Sequence, residues 1–376
     1  MVHEFILERP TTFDRRRRRA WSWKHERRAV LASSFLAAFM IVAHVSGASA
    51  ETPKLETESY TIPSADAGIE LYIRNKHAAG VTSFPADKIL LFVHGATYPA
   101  ETTFDLPLGG RSMMDYMAQQ GWDVYLVDVR GYGGSTRPPE MEKPPAEAKP
   151  IADTPTAVRD LGAAVDHILQ KRGVAKINLM GWSWGTAIVG MYAAERNDKV
   201  ARLVLYAPLW VFTTRPLIGG DGPLGAYRTV SKESAKQRWL SGVSDNKKAD
   251  LIPAGWFDQW ADATWATDPW GSKQSPPVLR APNGVLQDLR TYWAAGKPQY
   301  DPALIQVPTL AIHAEWDADL PSDQAHAYFA KLTSAPYKRF VEVGEGTHQV
   351  MLEKNRLQFF REVMHFLTEA DPLALN

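Results

Sequence analysis

Hydrophobic and polar positions follow two distinct patterns along most of the chain beyond residue 58. The runs 88–94, 124–128 and 201–206 are largely apolar, which predicts strands buried on both faces of a sheet. Segments such as 156–172 and 322–332 show helical spacing of apolar residues instead. Further strands are predicted at 59–63, 69–74, 175–180, 309–313 and 339–343, and further helices at 111–120, 186–195 and 349–367. Because strands alternate with helices, we expect an α/β fold whose mostly parallel central sheet is flanked by helices on both faces.

Two stretches interrupt this alternation. Residues 137–155 are rich in proline and charge, which predicts an extended surface loop. Residues 208–301 have little strand character and hold seven of the thirteen tryptophans, which favours a mainly helical cap inserted after the sixth strand. The core around this cap would then comprise 51–207 and 302–376.

The segment 181–185 reads Gly-Trp-Ser-Trp-Gly and lies between a predicted strand and a predicted helix. Glycines two positions before and after Ser183 permit a turn that is too tight for larger side chains. Such a turn exposes the serine hydroxyl at the tip of the strand, which is the arrangement of a nucleophile elbow. We therefore predict that Ser183 is a nucleophile.

A serine hydroxyl needs a base to accept its proton and a carboxylate to orient that base. His348 follows the predicted strand 339–343, and Asp317 follows the predicted strand 309–313. Both loops leave the carboxyl ends of parallel strands, the edge at which Ser183 emerges. The alternatives to Asp317 are Glu315, Asp319 and Asp323, and the alternatives to His348 are His313 and His326.

Several separate segments occur in an order that resembles the α/β-hydrolase superfamily. These segments are 94–96 (HGA), 128–135 (DVRGYGGS), 181–185 (GWSWG), 317–321 (DADLP) and 346–348 (GTH). The resemblance covers residues 59–370 outside the cap. It implies that Ser183 is the nucleophile, that His348 is the general base and then the acid, and that Asp317 orients His348.

The same resemblance implies an oxyanion hole formed by the backbone N–H groups of Trp184 and Ala96. The chain has no run of three glycines after His94, so the hydroxyl of Tyr98 is an alternative to the second donor. His94 itself is expected to shape its loop rather than to carry protons. Packing alone accounts for tryptophans in a cap, but their number also favours an aromatic substrate pocket. The predicted substrate-binding residues are Tyr98, Trp182, Trp210, Trp256 and Trp260.

These features predict a serine hydrolase that cleaves carboxylic esters of hydrophobic or aromatic small molecules through an acyl-enzyme. An amidase, a lactonase or an acyltransferase with the same triad is the first alternative, and a non-catalytic binding protein on the same fold is the second. No cofactor and no metal site are expected. The oligomeric state is left open.

Composition and charge bear on the location of the protein. The chain has no cysteine, which excludes disulfides and cysteine nucleophiles. Residues 1–50 contain nine of the 42 basic and four of the 42 acidic residues, which leaves 33 basic and 38 acidic residues beyond them. That mildly acidic remainder gives no reason to expect nucleic acid as a partner.

The first fifty residues have the organisation of an export signal. Arginines at 15–19 and 27–28 precede the uncharged run 29–45, and Ala48-Ser49-Ala50 resembles a cleavage site. We expect residues 1–50 to be a signal peptide, with a twin-arginine signal as one route, and the protein to be periplasmic or secreted. The run is shorter than the ~20 residues of a membrane span, so no stable span is expected after cleavage. An uncleaved N-terminal membrane anchor is the alternative.

Overall fold

A computed structural model describes residues 52–374 of the chain. Its strands are β1 (Leu55–Pro63), β2 (Glu70–Ala78), β3 (Ile89–Val93), β4 (Asp123–Val127), β5 (Ile177–Trp182), β6 (Val200–Tyr206), β7 (Tyr227–Ser231), β8 (Val278–Pro282), β9 (Thr309–Ala314) and β10 (Lys338–Val343). Its α-helices are α1 (Ala100–Phe104), α2 (Met113–Ala118), α3 (Thr154–Arg172), α4 (Trp184–Glu195), α5 (Lys232–Trp239), α6 (Asp245–Leu251), α7 (Trp256–Ala266), α8 (Gly284–Thr291), α9 (Ser322–Lys331) and α10 (Arg356–Thr368). The predicted signal peptide falls outside the described residues and stays a prediction.

Eight strands form one sheet in the order β1-β2-β4-β3-β5-β6-β9-β10. The pairs β1–β2 and β2–β4 are antiparallel, and every other pair in this sheet is parallel. Helices α3 and α4 contact each other, as do α2 and α10, and the sheet is flanked by these helices. The predicted α/β class with a mostly parallel sheet is therefore confirmed. Strand order reverses between β3 and β5, and ligands bind outside the carboxyl ends of strands at such a switch point.

The segment between β6 and β9 contains α5 to α8, as expected of a mainly helical insertion, together with a small sheet that was not predicted. Strands β7 and β8 pair antiparallel in this segment, with Tyr227 opposite Pro282 and Ser231 opposite Val278. Each strand has only five residues, too few for a clear alternation in the sequence. The exact borders of the cap stay a prediction.

Two further local predictions differ from the structure. The predicted helix 349–367 begins only at Arg356, because Glu353 is extended (ψ 175°) and turns its carboxylate back to Thr347. The loop 137–155 forms two short 3₁₀ turns, each with proline at its first position, rather than a fully extended path. Within residues 52–374, we find no helix that combines the length and the apolar character needed to cross a bilayer.

Helix α4 begins so close to β3 that its second residue has to be glycine. A Cβ atom on Gly185 would lie 2.7 Å from the carbonyl oxygen of His94 and closer still to that of Val93. Both obstacles are backbone atoms, which cannot rotate away. Gly181 in β5 also has no room for a Cβ atom, since that atom would lie 2.7 Å from the backbone nitrogen of Thr186 in α4.

We expect Gly185→Ala to lower the free energy of unfolding by about 3 kcal/mol or more, because α4 would be pushed off β3. The matched control is Gly162→Ala in α3, where the new Cβ would meet only Tyr192 at an ordinary 3.6 Å. That helical substitution should raise the free energy of unfolding by about 0.5–1 kcal/mol. Urea titration measures both values, and equal effects at the two positions would contradict the packing argument.

Candidate active site

Ser183 occupies the turn between β5 and α4 in a strained conformation. Its backbone angles are φ 57° and ψ −122°, a region that costs a non-glycine residue about 1–3 kcal/mol. Neighbouring hydrogen bonds stabilise the turn: Ser183 N–H donates to the carbonyl of Tyr206 at 2.9 Å, and Thr186 N–H donates to the carbonyl of Ser183 at 2.8 Å. The side chain of Ser183 consequently projects from the carboxyl end of the sheet into a cavity.

His348 and Asp317 form a hydrogen-bonded pair beside this cavity. Nδ1 of His348 lies 2.7 Å from Oδ2 of Asp317, and both side chains are almost fully buried. The other oxygen of Asp317 accepts the backbone N–H groups of Asp319 and Leu320, at 2.9 and 3.0 Å. A carboxylate fixed in this way holds the imidazole with its proton on Nδ1, which leaves Nε2 free to accept one.

The environment of His348 raises its pKa above the usual value. Burial alone would lower the pKa, but the carboxylates of Asp317 and Asp319 more than offset that effect. Oδ2 of Asp319 lies 4.0 Å from Nε2, on the side of the ring that would face Ser183. The two carboxylates therefore favour the imidazolium that forms when His348 accepts a proton.

Ser183 and His348 line the same cavity, although no hydrogen bond links their side chains among the described residues. Catalytic hydrogen bonds are often long without substrate and tighten when it binds. The alternative base and carboxylate candidates make contacts with other groups. Nε2 of His313 lies 3.0 Å from the carbonyl oxygen of Leu320. The carboxylate of Asp323 accepts a hydrogen bond from the hydroxyl of Thr213, and that of Glu315 accepts the backbone N–H of Glu345. His326 lies beside the carbonyl of Ser322 on α9.

Trp184 and Ala96, whose backbone N–H groups are the predicted oxyanion donors, line the larger cavity together with Ser183. Trp184 is the first residue of α4, so its N–H has no partner within the helix. The N–H of Ala96 is oriented indirectly by His94, whose Nδ1 lies 2.7 Å from the carbonyl oxygen of Gly95. Because the peptide unit is planar and trans, fixing that carbonyl also fixes the N–H of Ala96 on its opposite side.

His94 is fully buried and acts as a structural residue, as its loop context predicts. Its Nε2 accepts the N–H of Val129 at 3.1 Å, which requires Nδ1 to carry the proton. Burial lowers the pKa of His94 to about 4. The imidazole therefore stays neutral near pH 7 and ties the loop after β3 to the loop after β4.

Glu353 connects the loop that carries His348 to the cap. Its carboxylate accepts Thr347 N–H at 3.1 Å, the hydroxyl of Thr347, and the indole N–H of Trp239 at 2.8 Å. Burial raises the pKa of Glu353 to about 7. Since Thr347 directly precedes His348 and Trp239 ends α5, this one carboxylate links the cap to the loop that carries His348.

Two small cavities of about 20 and 10 Å³ lie beside Ser183, and a substrate-sized site is usually about 300–1,000 Å³. The larger of the two shares Phe212, Ile218 and Leu289 with a neighbouring cavity of about 450 Å³. Of the aromatic residues predicted to bind substrate, Tyr98 and Trp182 line the smaller cavity. Burial raises the pKa of Tyr98 to about 12, so its hydroxyl remains a donor.

The other three predicted aromatic residues line neither cavity. Trp210 packs edge-on against Tyr300 and Tyr328, and the ring of Trp256 lies under the guanidinium of Arg356 at 4.3 Å. Trp260 is fully buried and contacts the ring of Tyr98 edge-on, with ring centroids 4.7 Å apart. These rings pack within the cap and between cap and core instead of facing Ser183.

Arg238 at the end of α5 also lines both cavities and was not identified from the sequence. Its Nε donates to both oxygens of Asp319, at 2.9 and 3.0 Å. Asp319 was considered only as an alternative to Asp317, and nothing in the sequence pairs it with an arginine 81 positions earlier. Asp317, Asp319 and His348 place possible metal ligands within 4.8 Å of one another, but the positive charge beside Asp319 is already supplied by Arg238.

A family model described as alpha/beta hydrolase fold matches residues 88–355. Protein ABHD8 of Mus musculus is 23% identical over 282 residues, which are 71% of this chain and 52% of that protein. The Multifunctional-autoprocessing repeats-in-toxin of Vibrio cholerae is 27% identical over 174 residues, 44% of this chain and 3% of the toxin. The chain thus spans about half the length of ABHD8 and a small part of the toxin.

A solved structure of 2-hydroxy-6-oxo-6-phenylhexa-2,4-dienoate hydrolase from Rhodococcus sp. strain RHA1 has a similar fold. The TM-score is 0.56 at 14% identity, with 83% of this chain and 99% of that chain covered. A likeness at this identity shows the fold alone.

The neutral state of His94 predicts how its contribution to stability depends on pH. Because the folded protein holds the pKa at about 4 rather than 6.5, this contribution is complete above pH 6.5 and is lost as the pH falls towards 4. His94→Leu should lower the free energy of unfolding by about 1–3 kcal/mol at pH 7.5. At pH 5.0 that cost should shrink by about 2 kcal/mol, as urea titration would measure.

The control for this prediction is His365→Gln on the exposed face of α10. It should change the free energy of unfolding little at either pH. A cost of His94→Leu that is the same at pH 7.5 and pH 5.0 would contradict the assignment.

Proposed function

This chain belongs to the alpha/beta hydrolase fold family, and from that membership and the geometry of its site we propose that it is a serine hydrolase that cleaves carboxylic esters. The observation that carries this proposal is the His348–Asp317 pair beside Ser183 at the strained turn after β5. A relay of this kind turns an ordinary hydroxyl into a nucleophile near neutral pH.

In the proposed reaction, Ser183 Oγ attacks the acyl carbon while His348 Nε2 takes the hydroxyl proton. The carbonyl oxygen becomes an oxyanion that accepts the N–H groups of Trp184 and Ala96, and each such donor contributes about 2.7–4 kcal/mol to the transition state. The bond to the alcohol oxygen then breaks, and His348 returns the proton to that oxygen. Water repeats these steps on the acyl-enzyme and releases the acid.

The walls of the larger cavity support an ester with a hydrophobic part. Leu209, Phe212, Val285 and Trp293 contribute apolar surface there, and the aromatic side of the smaller cavity comes from Tyr98 and Trp182. Amides, lactones and acyl transfer would use the same Ser183 chemistry. A substrate panel with product analysis would distinguish these reactions from ester hydrolysis.

We expect a fluorophosphonate probe to label Ser183 and to abolish hydrolysis of p-nitrophenyl esters, because the activated oxygen attacks phosphorus as it attacks a carbonyl. Ser183→Ala should remove both labelling and turnover, as measured by peptide mass spectrometry and nitrophenolate release. Asp317→Asn should lower kcat by about 10⁴-fold, since His348 would lose its orienting carboxylate.

The control is Ser234→Ala on the exposed side of α5, which should keep full labelling and turnover. Labelling on another serine, or esterase activity that survives Ser183→Ala, would overturn the proposed nucleophile.

The raised pKa of His348 predicts the pH profile. Only neutral imidazole accepts the serine proton, so kcat/KM should rise with pH through a midpoint above 6.5. Asp319→Asn should move this midpoint to lower pH, because one of the two carboxylates that stabilise imidazolium is removed. Glu315→Gln, an exposed carboxylate of the same loop, is the control and should leave the midpoint in place. An unchanged midpoint in Asp319→Asn would contradict the electrostatic role of Asp319.

A further inference from the structure

Arg238 stands at the boundary between the two cavities beside Ser183. Four residues line both cavities: Ala96, Ser183, Arg238 and Asp319. Of the Arg238–Asp319 pair, the arginine side chain is 22% exposed and the aspartate side chain 8%. The pair therefore presents mainly its cation to a molecule that enters either cavity.

The guanidinium of Arg238 uses only one edge for Asp319. Its Nε donates to the carboxylate, and Nη1 has a long contact of 3.4 Å with Thr97 Oγ1. Nη2 has no hydrogen-bond partner among residues 52–374. The edge with its two Nη groups can thus donate hydrogen bonds to a second carboxylate in the bidentate geometry that arginine favours.

A second guanidinium nearby adds positive charge without a counter-ion. Arg228 donates to the carbonyl oxygens of Ala96 and Pro282, both at 2.6 Å, and to Thr97 Oγ1 at 3.0 Å. No carboxylate of the described residues lies within 4.0 Å of it, and burial lowers its pKa. Asp319 therefore pairs with Arg238 alone, and an anion beside Arg238 would lie close to a second guanidinium that has no carboxylate within this distance.

We propose that Arg238 is a specificity-determining residue that binds a carboxylate on the ester substrate, so that the enzyme prefers esters with a free carboxylate to neutral esters of the same shape. This inference rests on the proposed esterase function and names its substrate class. Arg238 binds through its Nη edge while Asp319 holds its Nε edge. The carboxylate then lies next to Ser183 at the junction of the two cavities.

The test compares matched ester pairs by kcat/KM. One pair is p-nitrophenyl hydrogen adipate and p-nitrophenyl hexanoate, which places the charge on the acyl side. The other pair is the acetyl esters of 4-hydroxybenzoate and 4-hydroxybenzamide, which places it on the alcohol side. We expect the charged member of at least one pair to be favoured about tenfold or more, the size of a charge-assisted hydrogen bond.

Arg238→Gln should abolish that preference, and Arg238→Lys should retain part of it. Arg215→Gln is the matched control, since Arg215 is an exposed cap arginine paired with Asp221, and it should keep the wild-type ratio. If Arg238 only attached the cap to Asp319, Arg238→Gln would lower kcat/KM for both members of a pair equally. That result would overturn the proposal, as would equal kcat/KM for charged and neutral esters in the wild type.

A further measurement needs no variant. Adipate should inhibit wild-type hydrolysis of p-nitrophenyl hexanoate at about tenfold lower concentration than hexanoate does, and equal inhibition would count against Arg238. Failure of the underlying esterase proposal is distinguishable, because then no ester would be hydrolysed above the Ser183→Ala background.

Discussion

The close approach of α4 to β3 is the constraint on which the site depends. Neither Gly181 nor Gly185 has room for a Cβ atom, so the chain can reverse within a few residues of the end of β5. That reversal places Ser183 in a strained conformation and gives the N–H of Trp184 no helical partner. The proposed nucleophile and one proposed donor for the oxyanion thus arise from a single packing contact, and the many buried side chains of the sheet and its helices offset the local strain.

The other two members of the proposed triad, Asp317 and His348, are fixed by hydrogen bonds that involve backbone groups rather than by packing. Asp317 accepts two N–H groups of its own loop, and the carbonyl of His348 accepts the indole N–H of Trp182 at 2.8 Å. Tyr206 at the end of β6 donates to the carbonyl of Thr347 at 2.7 Å. The ends of the adjacent strands β5 and β6 therefore hold the histidine loop, which explains how groups 31 residues apart keep a 2.7 Å contact.

The sequence predicts the part of this arrangement that depends on local patterns. Buried strands and the glycine spacing around Ser183 are local, so the sheet and the turn could be inferred directly, and His348 and Asp317 follow from their positions after strands. Arg238 pairs with Asp319 and Trp239 pairs with Glu353, although the partners are 81 and 114 positions apart in the chain. The spacing of apolar residues along a sequence gives no information about contacts over such distances. The same holds for Trp210, Trp256 and Trp260, because the number of rings in the cap says nothing about which of them face the cavity.

These long-range contacts converge on the end of α5. Arg238 binds Asp319, two residues after Asp317, and the adjacent Trp239 binds Glu353, which holds the residue before His348. The turn after α5 lies against the same loop, since a Cβ on Gly242 would meet the Trp316 carbonyl within van der Waals distance. Because both contacts meet at the end of α5, any displacement of α5 would change what surrounds Asp317 and His348. The position of the cap and the electrostatic surroundings of His348 are consequently coupled through one short helix.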